Sequence, residues 1–194
     1  MTSLRAVAPT LQADALEKGF MSGDVQVPVL RGLSLDIYPG ELTLVSGPSG
    51  CGKSTLLSLL SGLSSPDGGR VHALGHDVGH MSRSEVERFR LHHVGFVFQG
   101  FNLFPALTAL EQVHLPLGYR GMSNRESEPL ARKALEEVGL SHRSHMRPAQ
   151  LSGGEKQRVA VARAFAKSPT LVFADEPTRA PDAENGQRVI HTPH

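Results

Sequence analysis

An α/β fold with a mostly parallel core sheet is predicted by three observations. Three short apolar runs (Leu42–Val45, Val94–Phe98 and Leu171–Ala174) each deliver polar or glycine-rich residues at their C-terminal ends. In open parallel sheets that edge is where ligands bind. Helical stripes separate the runs, and the first run leads through a glycine-rich loop into a leucine-striped segment.

In chain order, residues 1 to about 12 carry no period and read as a loose lead-in. Leu33, Leu35 and Ile37 alternate with Ser34, Asp36 and Tyr38, a strand pattern that stops at the turn Pro39-Gly40. Leu42–Val45 reads as a buried strand. From Ser54 to Leu63, residues Leu56, Leu59, Leu60 and Leu63 share one helical face, and Ser64 to Gly69 closes that helix. Arg83 to Arg90 is a charged, solvated helical face. Val94–Phe98 is a second strand, followed at once by Gln99.

The period turns helical from Thr108. Leu130, Ala131, Ala134, Leu135 and Val138 form a stripe that Pro129 opens and Gly139 stops. Ser152 and Glu155 are spaced as a capping box for a helix running to about Lys167, before Ser168-Pro169. Leu171–Ala174 is a third buried strand, ending in Asp175-Glu176.

The 194 residues suit about one domain. Lys plus Arg number 20 and Asp plus Glu 19, a net charge of +1. That balance supplies no global attraction to nucleic acid or an anionic membrane. With 2 Tyr and no Trp, a stacking surface for single-stranded nucleic acid is not expected either. The lone cysteine excludes an intrachain disulfide and a multi-cysteine metal site. No stretch approaches the roughly 20 apolar residues of a spanning helix. The chain is therefore expected in the cytoplasm, held at a membrane only by another polypeptide. His72, His76 and His80 have the spacing of a helical metal face, but Gly75 and Gly79 argue against a helix, and they read as solvated loop histidines.

Gly47-Pro48-Ser49-Gly50-Cys51-Gly52-Lys53-Ser54 matches G-x-x-x-x-G-K-[ST]. Glycines let successive N–H groups converge on one anion, and the following helix adds its positive N-terminal end. Lys53 supplies a point charge for the β- and γ-phosphates of a nucleoside triphosphate, and the Ser54 hydroxyl is a Mg²⁺ ligand. Cys51 reads as a small filler whose backbone N–H matters, in preference to a reactive thiol. The strand ending at Asp175-Glu176 completes the set. Asp175 is placed to hold the Mg²⁺ shell, and Glu176 to polarise a water against the γ-phosphate.

Leu151-Ser152-Gly153-Gly154-Glu155 with Lys156-Gln157-Arg158 resembles the signature sequence of the ABC ATPases. From about Ala15 to Asn185 the chain resembles the nucleotide-binding subunit of an ABC transporter. Gly95 to Leu103 and Leu107 to Glu111 point to the lipoprotein-release and macrolide-export branch. The resemblance implies a P-loop NTPase fold with an N-terminal antiparallel β part. It implies a single domain over 1–194, with an ATP-binding core at about 15–99 and 151–194 and a small helical subdomain at about 100–150 that docks on a transmembrane permease.

It further implies ATP and Mg²⁺ as cofactors. Gly47 to Ser54 together with Thr55 would bind nucleotide, Lys53 and Glu176 would serve hydrolysis, and Gln99 would sense Mg²⁺ and the attacking water. Phe20 falls where the family stacks an aromatic on adenine. Ser152, Gly153 and Gly154 would meet ATP held by a second ATPase subunit in a head-to-tail pair, on the cytoplasmic face of the inner or plasma membrane. An ordinary core phenylalanine and an ordinary helix cap are the plain alternatives for Phe20 and Ser152.

Two departures from the family pattern stand out. Pro181 occupies the place of the usual leucine before Asp182, and proline fixes φ and removes a donor. After Ile190 the text stops resembling the family, and the strand that ends in a switch histidine is not found; His191 and His194 read as tail residues. The expectation is a truncated or frame-shifted chain with an exposed sheet edge and reduced or absent turnover. A truncated ATP-binding module is thus the rival reading. Soluble ABC ATPases of translation or DNA repair fit less well, because there is one phosphate loop, one signature and no long coiled coil.

Overall fold

The structure is a computed structural model that describes residues 8–176. Asp182, His191, His194 and the segment 184–190 lie outside the described residues. The chain divides into two compact units, Met1–Glu87 and Arg88–His194.

The first unit is built on a hairpin of β1 (Leu11–Ser22) and β2 (Val25–Ile37). With β3 (Gly68–Ala73) and β4 (His76–Asp77) it forms an antiparallel sheet in the order β2-β1-β3-β4. Leu33, Leu35 and Ile37 alternate in burial with Ser34 and Asp36, as their period requires. β1 breaks register near Ala15, which takes φ 47° and donates its N–H to Ser34 Oγ at 2.8 Å. Helix α1 (Lys53–Leu60) lies against β1 and β3 and buries Leu56, Leu59 and Leu60.

Four expectations are corrected in this unit. The ordered chain already includes Leu11, which is 1% exposed, so the lead-in is shorter than expected. Leu63 falls outside α1 and is exposed. His72 and His76 lie in β3 and β4, where His72 and His80 approach the Asp77 carboxylate at 3.6 and 3.0 Å, in place of free loop positions. No group of three or more His, Cys, Asp or Glu side chains placed to hold a metal occurs among the described residues.

The largest correction concerns Leu42–Val45. This run is irregular, with Leu42 89% and Leu44 88% exposed. An apolar run becomes a strand only by pairing, and no described strand pairs with it.

After α2 (Arg83–His93), the second unit holds two parallel strands, β5 (Val94–Val97) and β6 (Leu171–Ala174). Three helices lie between them in the chain: α3 (Ala109–Tyr119), α4 (Asn124–Glu137) and α5 (Gly153–Phe165). α5 runs close over β5 at Gly95, where a β-carbon would stand 2.8 Å from the Ala164 carbonyl oxygen. Val113, Leu117, Leu135, Leu140 and Val159 share one buried cluster with their neighbours on α3, α4 and α5. Fully buried Gln112 ties the preceding loop to α3, its amide meeting both the N–H and the carbonyl of Phe104. α4 starts earlier than its stripe suggested, because Ser123 donates its N–H and its hydroxyl to Glu126. Pro129 therefore sits inside the helix, and Leu130 is exposed.

Each of these three helices opens on a capping box. The Glu111 carboxyl is held below its ordinary value by the Thr108 N–H and hydroxyl, and that of Glu126 by the Ser123 hydroxyl and N–H. Glu155 is lowered chiefly by the Ser152 N–H. A carboxyl with a depressed folded pKa contributes stability above its unfolded pKa of about 4.3 and loses it as pH falls through the folded pKa. Thermal unfolding is therefore expected to hold level near neutrality and to fall below about pH 5. Glu111→Gln should flatten that acid limb; an unchanged limb would show that the cap does not carry it.

Candidate functional site

In the first unit the phosphate loop leads directly into α1. Gly50 and Gly52 take φ 80° and 96°, in the left-handed region that only glycine adopts freely. A β-carbon on Gly52 would also stand 2.7 Å from Val29 Cγ1. α1 has no acidic residue in its first turn and no side-chain cap. Its positive end therefore meets no carboxylate or capping side chain from its own first turn.

Lys53 Nζ folds back on the loop, donating to the carbonyls of Gly47 and Pro48, both at 2.8 Å. Gly47 is pressed close to Cys51, leaving 2.7 Å between its notional β-carbon and Cys51 Sγ. Pro48, Ser49, Cys51 and Ser54 are exposed, and Thr55 is half-buried in the first turn of α1. Phe20 lies in β1, 51% exposed, with Lys18 Nζ 5.8 Å from its ring centroid. It is not a core residue.

In the second unit the parallel pair sets up the acidic edge. Val97 stands beside Ala174 in the register, and the Asp175 N–H donates to the Val97 carbonyl at 2.9 Å. One step further, Gln99 Nε2 donates to Glu176 Oε2 at 2.9 Å. Gln99 and Glu176, 77 positions apart, thus meet at the C-terminal edge of the two strands. Glu176 takes φ 47°, and Asp175 beside it is half-buried.

At the start of α5, the Ser152 hydroxyl accepts from the Glu155 N–H at 3.3 Å, and the Glu155 carboxylate accepts from the Ser152 N–H at 2.8 Å. Gly153 and Gly154 form the first turn, with Gly154 buried. Glu155 lies 3.2 Å from Arg143 Nε. Unlike α1, this helix start already carries a carboxylate.

One residue escaped the sequence reading. Arg163, near the end of α5, donates to the carbonyls of Phe101 and Asn102 in the loop after Gln99. No local spacing signals it, since the contact spans about sixty positions.

In the first unit, the glycine loop with the acid-free start of α1 offers N–H donors and positive potential of the kind a triphosphate takes, and Ser54 an oxygen donor of the kind Mg²⁺ takes; in the second unit, taken by itself, Asp175 offers another such oxygen donor. A glycine-rich loop on a helix start, with a parallel strand pair ending in Asp-Glu, defines a P-loop nucleoside-triphosphatase domain.

The family pattern of ABC transporters matches residues 30–179. The chain belongs to the ABC transporter family. It is 49% identical over 170 residues to the lipoprotein-releasing system ATP-binding protein LolD 2 of Caulobacter vibrioides, covering 88% of this chain and 75% of that one. It is 44% identical over 182 residues to the macrolide export ATP-binding/permease protein MacB of Marinobacter nauticus, covering 94% of this chain but 28% of that longer protein. A solved dimeric ATP-binding cassette, in a post-hydrolysis state bound to ADP and Pi, superposes with a TM-score of 0.89 at 36% identity, over 94% of this chain and 80% of that one. No described helix is long and apolar enough to cross a membrane.

Proposed function

We propose that this chain binds and hydrolyses ATP to drive transport, by export or lipoprotein release, through a separate membrane permease. The observation that carries the hydrolytic part is the Gln99–Glu176 hydrogen bond at the end of the parallel strand pair. The Glu176 carboxylate is the base that accepts a proton from the attacking water, and the Gln99 amide fixes its orientation. Lys53 exchanges its two loop carbonyls for β- and γ-phosphate oxygens, a stronger charge-assisted contact. Ser54, Asp175 and Gln99 would hold Mg²⁺, which when bound neutralises phosphate charge. Gly47 to Thr55 line the nucleotide, and Phe20 stacks on its base.

The names of the relatives support a permease partner, and the dimeric cassette supports pairing with a second ATPase subunit. A head-to-tail pair would set Ser152, Gly153 and Gly154 against ATP held by the other subunit. The place of action would then be the cytoplasmic face of the membrane.

A second reading is nucleotide binding without turnover. One experiment separates the two. A fluorescent ATP analogue is titrated into the chain and into Lys53→Ala, with phosphate release followed in Mg²⁺. Binding and release, both weakened at least tenfold by Lys53→Ala, are expected at about 1.4 kcal/mol or more for the lost charge contacts. Binding without release would leave the second reading standing. Binding unaffected by Lys53→Ala would remove the phosphate loop from both.

A further inference from the structure

Arg163 occupies the last turn of α5 and reaches out of the helix to a neighbouring loop. Its Nη1 donates to the Asn102 carbonyl at 2.6 Å and its Nη2 to the Phe101 carbonyl at 2.7 Å. Both acceptors lie in residues with left-handed backbone, φ 61° at Phe101 and 46° at Asn102. Consecutive non-glycine residues in that region are strained, and persist only when their surroundings impose them. The turn supplies part of that constraint, through Phe101 N–H to the Phe98 carbonyl at 3.0 Å and Asn102 N–H to the Gly100 carbonyl at 2.7 Å. The guanidinium adds two further hydrogen bonds from outside the turn.

The chemistry suits arginine alone. A planar fork presents two donors at once to two adjacent carbonyls, whereas a lysine ammonium is a single point charge on a flexible stem. Burial pulls the Arg163 pKa below its ordinary value. The group therefore carries a desolvation penalty that its two carbonyl partners offset. The held turn begins at Gln99, whose amide meets Glu176, while the other end of α5 carries Ser152, Gly153 and Gly154. One rigid helix thus has the signature residues at its start and the clamp on the Gln99 turn at its end.

We infer that Arg163 is a positioning residue that fixes the strained turn at Phe101–Asn102 so that Gln99 is presented to Glu176, and that it couples this turn to the signature helix. The kinetic consequence rests on the hydrolytic reading above; the structural one does not.

The test uses the full chain with Arg163→Lys, and Arg163→Ala as a second variant. Three quantities are read: amide hydrogen exchange at residues 100–104 against the body of α5, affinity for a fluorescent ATP analogue, and kcat with KM for Mg²⁺-ATP. Arg163→Lys is expected to raise exchange in the turn about tenfold or more while α5 keeps its protection. Nucleotide affinity and KM should stay level and kcat should fall about ten- to a hundredfold, as for a misplaced catalytic group.

Unchanged exchange in the turn would overturn the inference. So would exchange that rises equally through α5, or raised exchange with unchanged kcat. If the unsubstituted chain shows no turnover, the hydrolytic reading fails, and the exchange measurement alone decides for or against the clamp. If Arg163→Ala does not fold, Arg163→Lys still carries the test.

Discussion

Glu176→Gln is expected to lower phosphate release by about 10²- to 10⁴-fold, the range supplied by a positioned general base. The geometry makes this substitution informative. Gln99 Nε2 donates to Glu176 Oε2 at 2.9 Å, and a glutamine carbonyl at position 176 accepts the same bond. The pair therefore keeps its shape and loses only the carboxylate's capacity to take a proton. Nucleotide affinity should not fall, because the phosphate contacts assigned to the glycine loop and Lys53 are untouched. The measurements are steady-state phosphate release and an equilibrium titration on the same preparation. A Glu176→Gln chain that turns over at the unsubstituted rate would show that Glu176 is not the base. Glu176→Ala discriminates further: it removes the acceptor for Gln99 as well, and should match the Gln variant in rate if proton transfer is what matters.

The parts of this molecule that were legible in its sequence are those whose cause is local. Ser152 and Glu155 make the capping box that their spacing announces, and Val94–Val97 and Leu171–Ala174 become strands whose ends deliver Gln99 and Glu176 to each other. Gly50 and Gly52 sit where the phosphate-loop pattern needs left-handed backbone. The parts that were not legible depend on partners far along the chain. β1 and β3 passed unnoticed because a bulge at Ala15 breaks the alternation of β1, and because β3 reads as polar text with only Val71 and Ala73 buried. Leu42–Val45 misled for the opposite reason: it has strand composition, but pairing is not a property of composition. The start of α4 is set by the Ser123–Glu126 cap, about one and a half turns before Pro129, the residue whose type is the stronger opening signal in the sequence. Arg163 belongs with these, since its partners are two backbone carbonyls that any residue type would offer.

Gly69→Ala is expected to be among the most destabilising single changes in the first unit, by about 2–4 kcal/mol. Two separate effects act there. Gly69 takes φ 80°, which disfavours any side chain by about 1–2 kcal/mol. Its notional β-carbon also overlaps the carbonyl oxygens of Ala15 and Asp14. These are backbone atoms of β1 at the register shift where Asp14 pairs with Arg70 and Glu17 with Gly68, so no rotamer change relieves the overlap. Relief requires β1 and β3 to part, and Leu11, Ala13, Leu16, Val71 and Ala73, all at most 3% exposed, lie on those two strands. Gly75 is the internal control. It takes φ 78° with nothing within 4 Å of its notional β-carbon, so Gly75→Ala carries the backbone penalty without the overlap. Denaturant unfolding of the two variants should separate them by about 1–3 kcal/mol. If the two lose the same stability, the close approach of β3 to the β1 bulge contributes nothing, and strain at positive φ explains both. A loss against a typical total of 5–15 kcal/mol would leave Gly69→Ala sparsely folded only if the unit is already marginal. Unfolding of the unsubstituted chain, measured alongside, tells those two cases apart.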